Sequence, residues 1–182
     1  MTTTETTSAE EAPDSLAERV NNRSRRPSSD AFREFMGSQW GPRPDPGITR
    51  SAVADYLPAR AIAAGEPFAG ERLVIPAGTY KVRSNDCTYR FRAYSAFAHL
   101  SGLGQEREPD SVIVLEPLPE GGHEAVLYFK PRTSRSSQEF YSDSRYGEFW
   151  VGARPSLEEV SAETGLRCEH IDTLRDALAK DA

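Results

Sequence analysis

Between Ser111 and Glu116 the chain reads SVIVLE, with Val112, Ile113, Val114 and Leu115 apolar without interruption. Alternate residues of a strand point to opposite faces, so a strand of this composition is apolar on both and demands helices or loops on both sides of its sheet. The turn residues PLPEGG follow, and Glu124–Lys130 (EAVLYFK) predicts a second strand returned antiparallel through a hairpin. Arg72–Pro76 (RLVIP), bounded by turn residues, predicts a buried first strand. A sheet covered on both faces needs a long chain, and 182 residues suffice for one domain with a full core.

The segment Val82–Gly104 leads into that sheet. Its aromatic residues Tyr89, Phe91, Tyr94 and Phe97 begin two apart and then fall three apart, which predicts an extended stretch followed by a short helix. Ser101, Gly102 and Gly104 end it. Upstream, Asp30 is positioned to cap a short helix that places Phe32, Phe35 and Met36 on one face and stops at Gly37. The loop GPRPDPG separates it from a second helix over residues 51–64. Pro58 lies inside that helix, where a proline costs about 3 kcal/mol, so the helix either kinks there or Pro58 begins a separate turn.

Downstream, residues 134–145 are serine rich and read as polar loop. In YGEFWVG, Phe149 and Trp150 are adjacent, and on an extended segment they face opposite ways. One packs inward while the other projects, or both enter the core. Ser156 and Glu159 have the spacing of a capping box, and Gly165 closes that helix. Residues 166–170 predict a last short strand and 171–180 a terminal helix with Leu174 and Leu178 one turn apart. The succession is that of a mixed α/β domain. Residues 1–29 hold few large apolar side chains and are expected to form a disordered tail, with the domain spanning 30–182.

The net charge of −6 argues against non-specific attraction to nucleic acid or anionic membrane. No apolar run approaches the ~20 residues that span a bilayer, and no secretory segment follows Met1, so a cytoplasmic location is expected. Cys87 and Cys168 fit neither a disulfide framework nor a paired zinc motif and read as reduced structural thiols. His99, His123 and His170 occur singly. A metal at Glu169, His170 and Asp172 is opposed by the alternation of a strand, and His123 is expected to be exposed in a hairpin tip. Lys130, Arg132 and Arg135 precede Tyr141, Tyr146, Phe149 and Trp150, a mixture of cations and aromatics that single-strand binders use, but Glu139, Asp143 and Glu148 interrupt it.

R-S-x-D at Arg83–Asp86 and Y-R-x-R-x-Y-S-x-F-x-H-L-S-G at Tyr89–Gly102, followed by the paired strands and E-F-W-V-G, resemble the amino-terminal domain of the aminopeptidase P (Xaa-Pro aminopeptidase) family, relatives of prolidase and creatinase. The resemblance implies an RNase-H-like α/β fold with a mixed sheet flanked by helices. In full enzymes such a domain precedes a pita-bread metallopeptidase domain that holds two metal ions, usually manganese, and hydrolyses the bond before a proline in second position. Its ligands, two Asp, a His and two Glu, map onto no residue here, so the resemblance implies a non-catalytic domain for assembly and substrate gating. The implied partners are the catalytic domain, further copies in a dimer or tetramer, and peptides with proline second. The family's acid falls on Asp86, implying a charge partner for an arginine of the catalytic domain, though Asp86 also suits a cap of the turn near Thr88. Its tryptophan falls on Trp150, implying an apolar wall beside the substrate of a neighbouring subunit. A free-standing peptide- or protein-binding module is the alternative. A nucleic-acid role by analogy to RNase-H-like folds would need Asp86, Asp110 and Glu116 gathered around magnesium, which their placement does not support.

Overall fold

The computed structural model describes residues 29–85 and 87–180. Its strands are β1 (Leu73–Pro76), β2 (Val82–Ser84), β3 (Cys87–Thr88), β4 (Val112–Pro117), β5 (His123–Phe129) and β6 (Arg167–His170). Its α-helices are α1 (Asp30–Gly37), α2 (Leu57–Gly65), α3 (Ser95–Ser101), α4 (Gln138–Ser142), α5 (Glu148–Val151), α6 (Leu157–Thr164) and α7 (Leu174–Leu178). The main sheet has the order β1-β4-β5-β6. β1 with β4 and β4 with β5 run antiparallel, whereas β5 and β6 run parallel, so the sheet is mixed, as expected. β2 and β3 form a separate antiparallel pair.

The unbroken apolar run is buried on both faces, for the reason its composition gave. Ile113, Leu115, Leu127 and Phe129 point into a core closed by Leu57 and Ala61 of α2, Phe97 and Leu100 of α3 and Val160 of α6. Val114, Val126 and Tyr128 point the other way, under Leu174, Ala177 and Leu178 of α7. Each face removes apolar surface from water at roughly 25 cal/mol per Å². In Val82–Gly104 the mixed spacing sorts its own side chains: Phe91 and Phe97 are buried, while Tyr89 and Tyr94 are exposed. Gly102, in the left-handed conformation, ends α3.

Four expectations are corrected. The cap of α1 is Ser29 rather than Asp30: its backbone is extended, and its hydroxyl accepts a hydrogen bond from Phe32 N at 3.2 Å. Phe35 does not share the packing of Phe32 and Met36, which are half-buried, but is exposed. β1 is an edge strand rather than a buried one, because α7 covers β4 and β5 and leaves Val74 exposed. His123 is not at an exposed hairpin tip. It begins β5 opposite Pro117, buried, with Nε2 donating to Glu71 O at 2.8 Å and its ring filling the space a side chain at Gly65 would occupy.

Pro58 resolves the two readings of the second helix. A 3₁₀ turn at Ala54–Tyr56 comes first, and Pro58 sits in the first turn of α2, where its missing N–H has no intrahelical partner to lose. The serine-rich segment holds an element that its composition hid, α4, capped by Ser137 accepting from Phe140 N. The capping box of Ser156 and Glu159 and the left-handed Gly165 frame α6 as expected. Residues 1–28, expected to be a disordered tail, lie outside the described residues.

Candidate functional site

YGEFWVG folds as a single helical turn, α5, and not as an extended segment. Successive side chains on a helix diverge by about 100° rather than 180°, so Phe149 and Trp150 both reach the surface. Trp150 is 60% exposed. Its indole stands edge-on to Phe149 at 5.9 Å, and Phe149 stands edge-on to Phe140 and Trp40, each at 6.4 Å. The surface so formed is an aromatic row of Trp40, Phe149 and Trp150.

Several contacts fix that row from behind. Trp150 Nε1 donates to Tyr141 O at 2.7 Å, and Trp40 Nε1 donates to Met36 O at 2.7 Å, so each exposed indole has its polar edge turned inward and satisfied. Glu148 holds the turn at its first residue. Its carboxylate, only 8% exposed, accepts from Arg43 at 2.6 Å and from the backbone N–H of Arg154 at 3.1 Å. Arg43 comes from the proline-rich loop and also donates to Thr133 O at 2.7 Å. Gly147 precedes the turn, where its N–H donates to Asp143 O at 2.8 Å, and Gly152 with positive φ leaves it.

Beside the row lies a cavity of about 670 Å³ between the proline loop, residues 106–109 and the segment 145–155. Its walls are rich in arginine, and most of the guanidinium groups are matched: Arg43 with Glu148, Arg107 with Glu163 at 2.7 Å, Arg132 with Glu159, and Arg145 with Asp110. The backbone here is unusual, since Glu108 and Asp110, on either side of Pro109, both have positive φ, at 53° and 61°. Asp110 accepts hydrogen bonds from Arg145 and, at 2.5 Å, from Tyr146 Oη. Burial raises its carboxyl, but the bonds from Arg145, Thr79 and Tyr146 outweigh burial and hold it below the ordinary range.

Burial, and after it the bond to Asp110, pushes Tyr146 up to about 12. A phenol raised from about 10 stabilises the fold fully below pH 10 and loses that contribution as the pH rises through 12. We expect unfolding free energy in urea to fall by about 1–2 kcal/mol over that window in excess of the loss in Tyr146→Phe. The variant itself should lose about 1 kcal/mol at neutral pH. Parallel curves for the two proteins would show that the hydroxyl carries no such strain.

Among the sequence-predicted site residues, Trp150 stands at the surface on a braced turn. Asp86 lies outside the described residues. Among the described residues no group of three or more His, Cys, Asp and Glu side chains fits a metal ion, so Glu169, His170 and Asp172 do not form one. The cations that precede the aromatics are engaged within the domain: Lys130 pairs with Glu139 at 3.1 Å and lies over the Tyr146 ring, Arg132 pairs with Glu159, and Arg135 lies over Trp40. Burial pushes the Cys168 thiol up to about 12, in keeping with an unreactive structural role. Sequence reasoning missed Arg43 and Arg154. The signal for both was Glu148, the acid that opens E-F-W-V-G and that an internal position obliges to find donors.

The fold is a mixed α/β sheet domain, and it displays a short aromatic turn at its surface. The chain belongs to the aminopeptidase P family, whose N-terminal domain matches residues 59–182. It is 40% identical over 145 residues to Xaa-Pro aminopeptidase 2 of Streptomyces coelicolor, covering 80% of this chain and 30% of that protein. With Xaa-Pro aminopeptidase 1 of the same organism it shares 42% over 151 residues, covering 82% and 30%. The chain therefore spans about a third of the length of these relatives. Among solved structures, the low-pH form of Escherichia coli aminopeptidase P superposes with a TM-score of 0.54 at 23% identity, over 69% of this chain and 26% of that one. Proline aminopeptidase P II from Yersinia pestis gives 0.53 at 23%, over the same shares. At this identity the structures support the fold alone.

Proposed function

We propose that this chain is the assembly and substrate-gating domain of a Xaa-Pro aminopeptidase, and that Trp150 forms an apolar wall beside the active site of a neighbouring subunit. The observation that carries the reading is a tryptophan 60% exposed on a turn anchored by an internal ion pair and by its own indole N–H. A side chain that large is held at a surface, with its polar atom already satisfied, when its flat face is the part in use. Proline in second position offers such a face a rigid apolar ring. Asp86 is assigned the charge contact to an arginine of the catalytic domain.

Hydrolysis is assigned to residues outside this chain, on a domain binding two metal ions, manganese in our reading. The donor set described here does not suit that pair, and no step of the reaction is routed through these residues. The assembly is taken as a dimer or tetramer, located in the cytoplasm. Among the described residues no helix is long and apolar enough to cross a membrane.

The test is Trp150→Ala in the longer enzyme. Loss of one desolvated aromatic contact, about 1–2 kcal/mol, should raise KM for a proline-second peptide roughly 5- to 30-fold with metal content unchanged. Unchanged kinetics would remove the wall. A free-standing module is the second reading, favoured by the length of the row from Trp40 to Trp150, and saturable binding of such a peptide to the 182-residue chain alone would support it.

A further inference from the structure

Most of the described arginines are matched to a carboxylate, among them Arg43, Arg72, Arg107, Arg132, Arg145 and Arg167. The segment Lys81–Tyr94 departs from that pattern. It carries Lys81, Arg83, Arg90 and Arg92 against one acid, Asp86, in a protein whose net charge is −6. All four cations are exposed. Arg90 pairs with Glu106 at the surface, where an ion pair is worth little, and no carboxylate among the described residues pairs with Lys81, Arg83 or Arg92.

The backbone that carries these charges is open as well. Among the described residues β2 and β3 pair only with each other, and every residue of both strands is exposed. A two-stranded sheet with neither face covered is marginal in water and gains from a third strand. Val82 adds an apolar side chain that is 71% exposed. Tyr89 N donates to Lys81 O at 2.9 Å, which carries the pairing one step past β3. From there burial alternates: Phe91 and Ala93 turn inward, while Arg90, Arg92 and Tyr94 share one outward face. Side chains two apart on such a face stand about 7 Å from each other, the repeat of any second extended chain laid beside them.

We propose that this hairpin is a docking surface for an extended acidic peptide, which adds a strand to an open edge of the pair and sets carboxylates on alternate residues against the flanking cations. Main-chain bonds at the edge give affinity, and guanidinium–carboxylate contacts select the charge. A second copy of the same edge is disfavoured, because it would bring like charges face to face. A single-stranded nucleic acid would use the cations with Tyr89 and Tyr94, but it leaves the strand edge unpaired and is repelled by the acidic remainder of the protein. The acidic peptide alone uses the edge and the charge together. The proposal involves neither Trp150 nor the 670 Å³ cavity and does not depend on the role given to either.

The test is fluorescence anisotropy of the 182-residue chain with fluorescein-labelled Thr-Glu-Val-Glu-Val-Glu-Thr, against the same peptide with Gln for each Glu. We expect saturable binding of the acidic peptide and at least 10-fold weaker binding of the amide form. Arg83→Glu combined with Arg92→Glu should weaken the acidic peptide at least 10-fold, whereas Arg33→Glu combined with Arg175→Glu, the same change in net charge at exposed positions elsewhere, should leave it within about 2-fold. Equal binding of the two peptides, equal weakening in the two double variants, or no saturation up to about 1 mM overturns the proposal. So does tighter binding of labelled oligouridylate than of the acidic peptide, which would assign the surface to nucleic acid. Should the Arg83 and Arg92 reversal fail to fold, Arg83→Gln combined with Arg92→Gln carries the same comparison.

Discussion

Gly147→Ala should destabilise the domain by about 3 kcal/mol or more, an effect out of proportion to one methyl group. The φ of Gly147 is −69°, which alanine adopts freely, so backbone strain is not the cause. The cause is contact. A Cβ at this position would lie 2.5 Å from Asp143 O, 2.6 Å from Glu139 O and 2.6 Å from Phe140 O, all backbone atoms of the end of α4. None of these can swing aside as a flexible side chain would, so α4 and α5 must separate. The Gly147 N–H bond to Asp143 O and the Trp150 indole bond to Tyr141 O span that junction and should be lost with it. Urea unfolding gives the energy, and a red shift of tryptophan emission in a Trp40→Phe background reports Trp150 directly. A loss under about 1 kcal/mol with unchanged emission would show that the junction relaxes cheaply and that Trp150 is not positioned by it.

Phe97→Ala is expected to cost about 3–5 kcal/mol, the range for removing a fully buried phenylalanine when the neighbours cannot close the space. Phe97 is fully buried in the core that α2, α3 and α6 form on the sheet. Tyr89→Ala is the matched control. It comes from the same aromatic series but is 58% exposed, and its cost should stay within about 0.5 kcal/mol. Equal losses in the two variants would mean that the series does not divide into buried and exposed members. Both are measured by denaturant unfolding at neutral pH.

The helix at the end of that series was legible in the sequence, because the period of Tyr89, Phe91, Tyr94 and Phe97 shifts from the strand spacing towards the helical one, whereas which of the four are buried was not. The run Val112–Leu115 was equally legible, as was the capping box at Ser156, since burial on two faces and a reciprocal cap each depend on neighbours in sequence. The family resemblance, carried by motifs in order, held for the same residues. What escaped depended on distant partners. α4 hid in a polar segment because its buried Phe140 and Tyr141 are an isolated pair without a repeat. Phe149 and Trp150 were read with the wrong period, because four residues are too few to show one. The exposure of Val74 follows from where α7 ends, and the burial of His123 from a space left by Gly65, more than fifty positions away. At the candidate site, Trp150 was found through its motif, whereas Arg43, 105 positions from Glu148, and Arg154, which also donates to Glu148, were not.

The parallel pairing of β6 with β5 has a kinetic corollary. β4 and β5 meet across a short turn and can zip together as soon as both exist, but β6 reaches its place only after residues 130–166 have closed a long loop. During synthesis the hairpin therefore waits with Val114, Val126 and Tyr128 bare until α7 leaves the ribosome and covers them. The interval in which the nascent domain is sticky is set by the time needed to translate the stretch from Lys130 to Leu178.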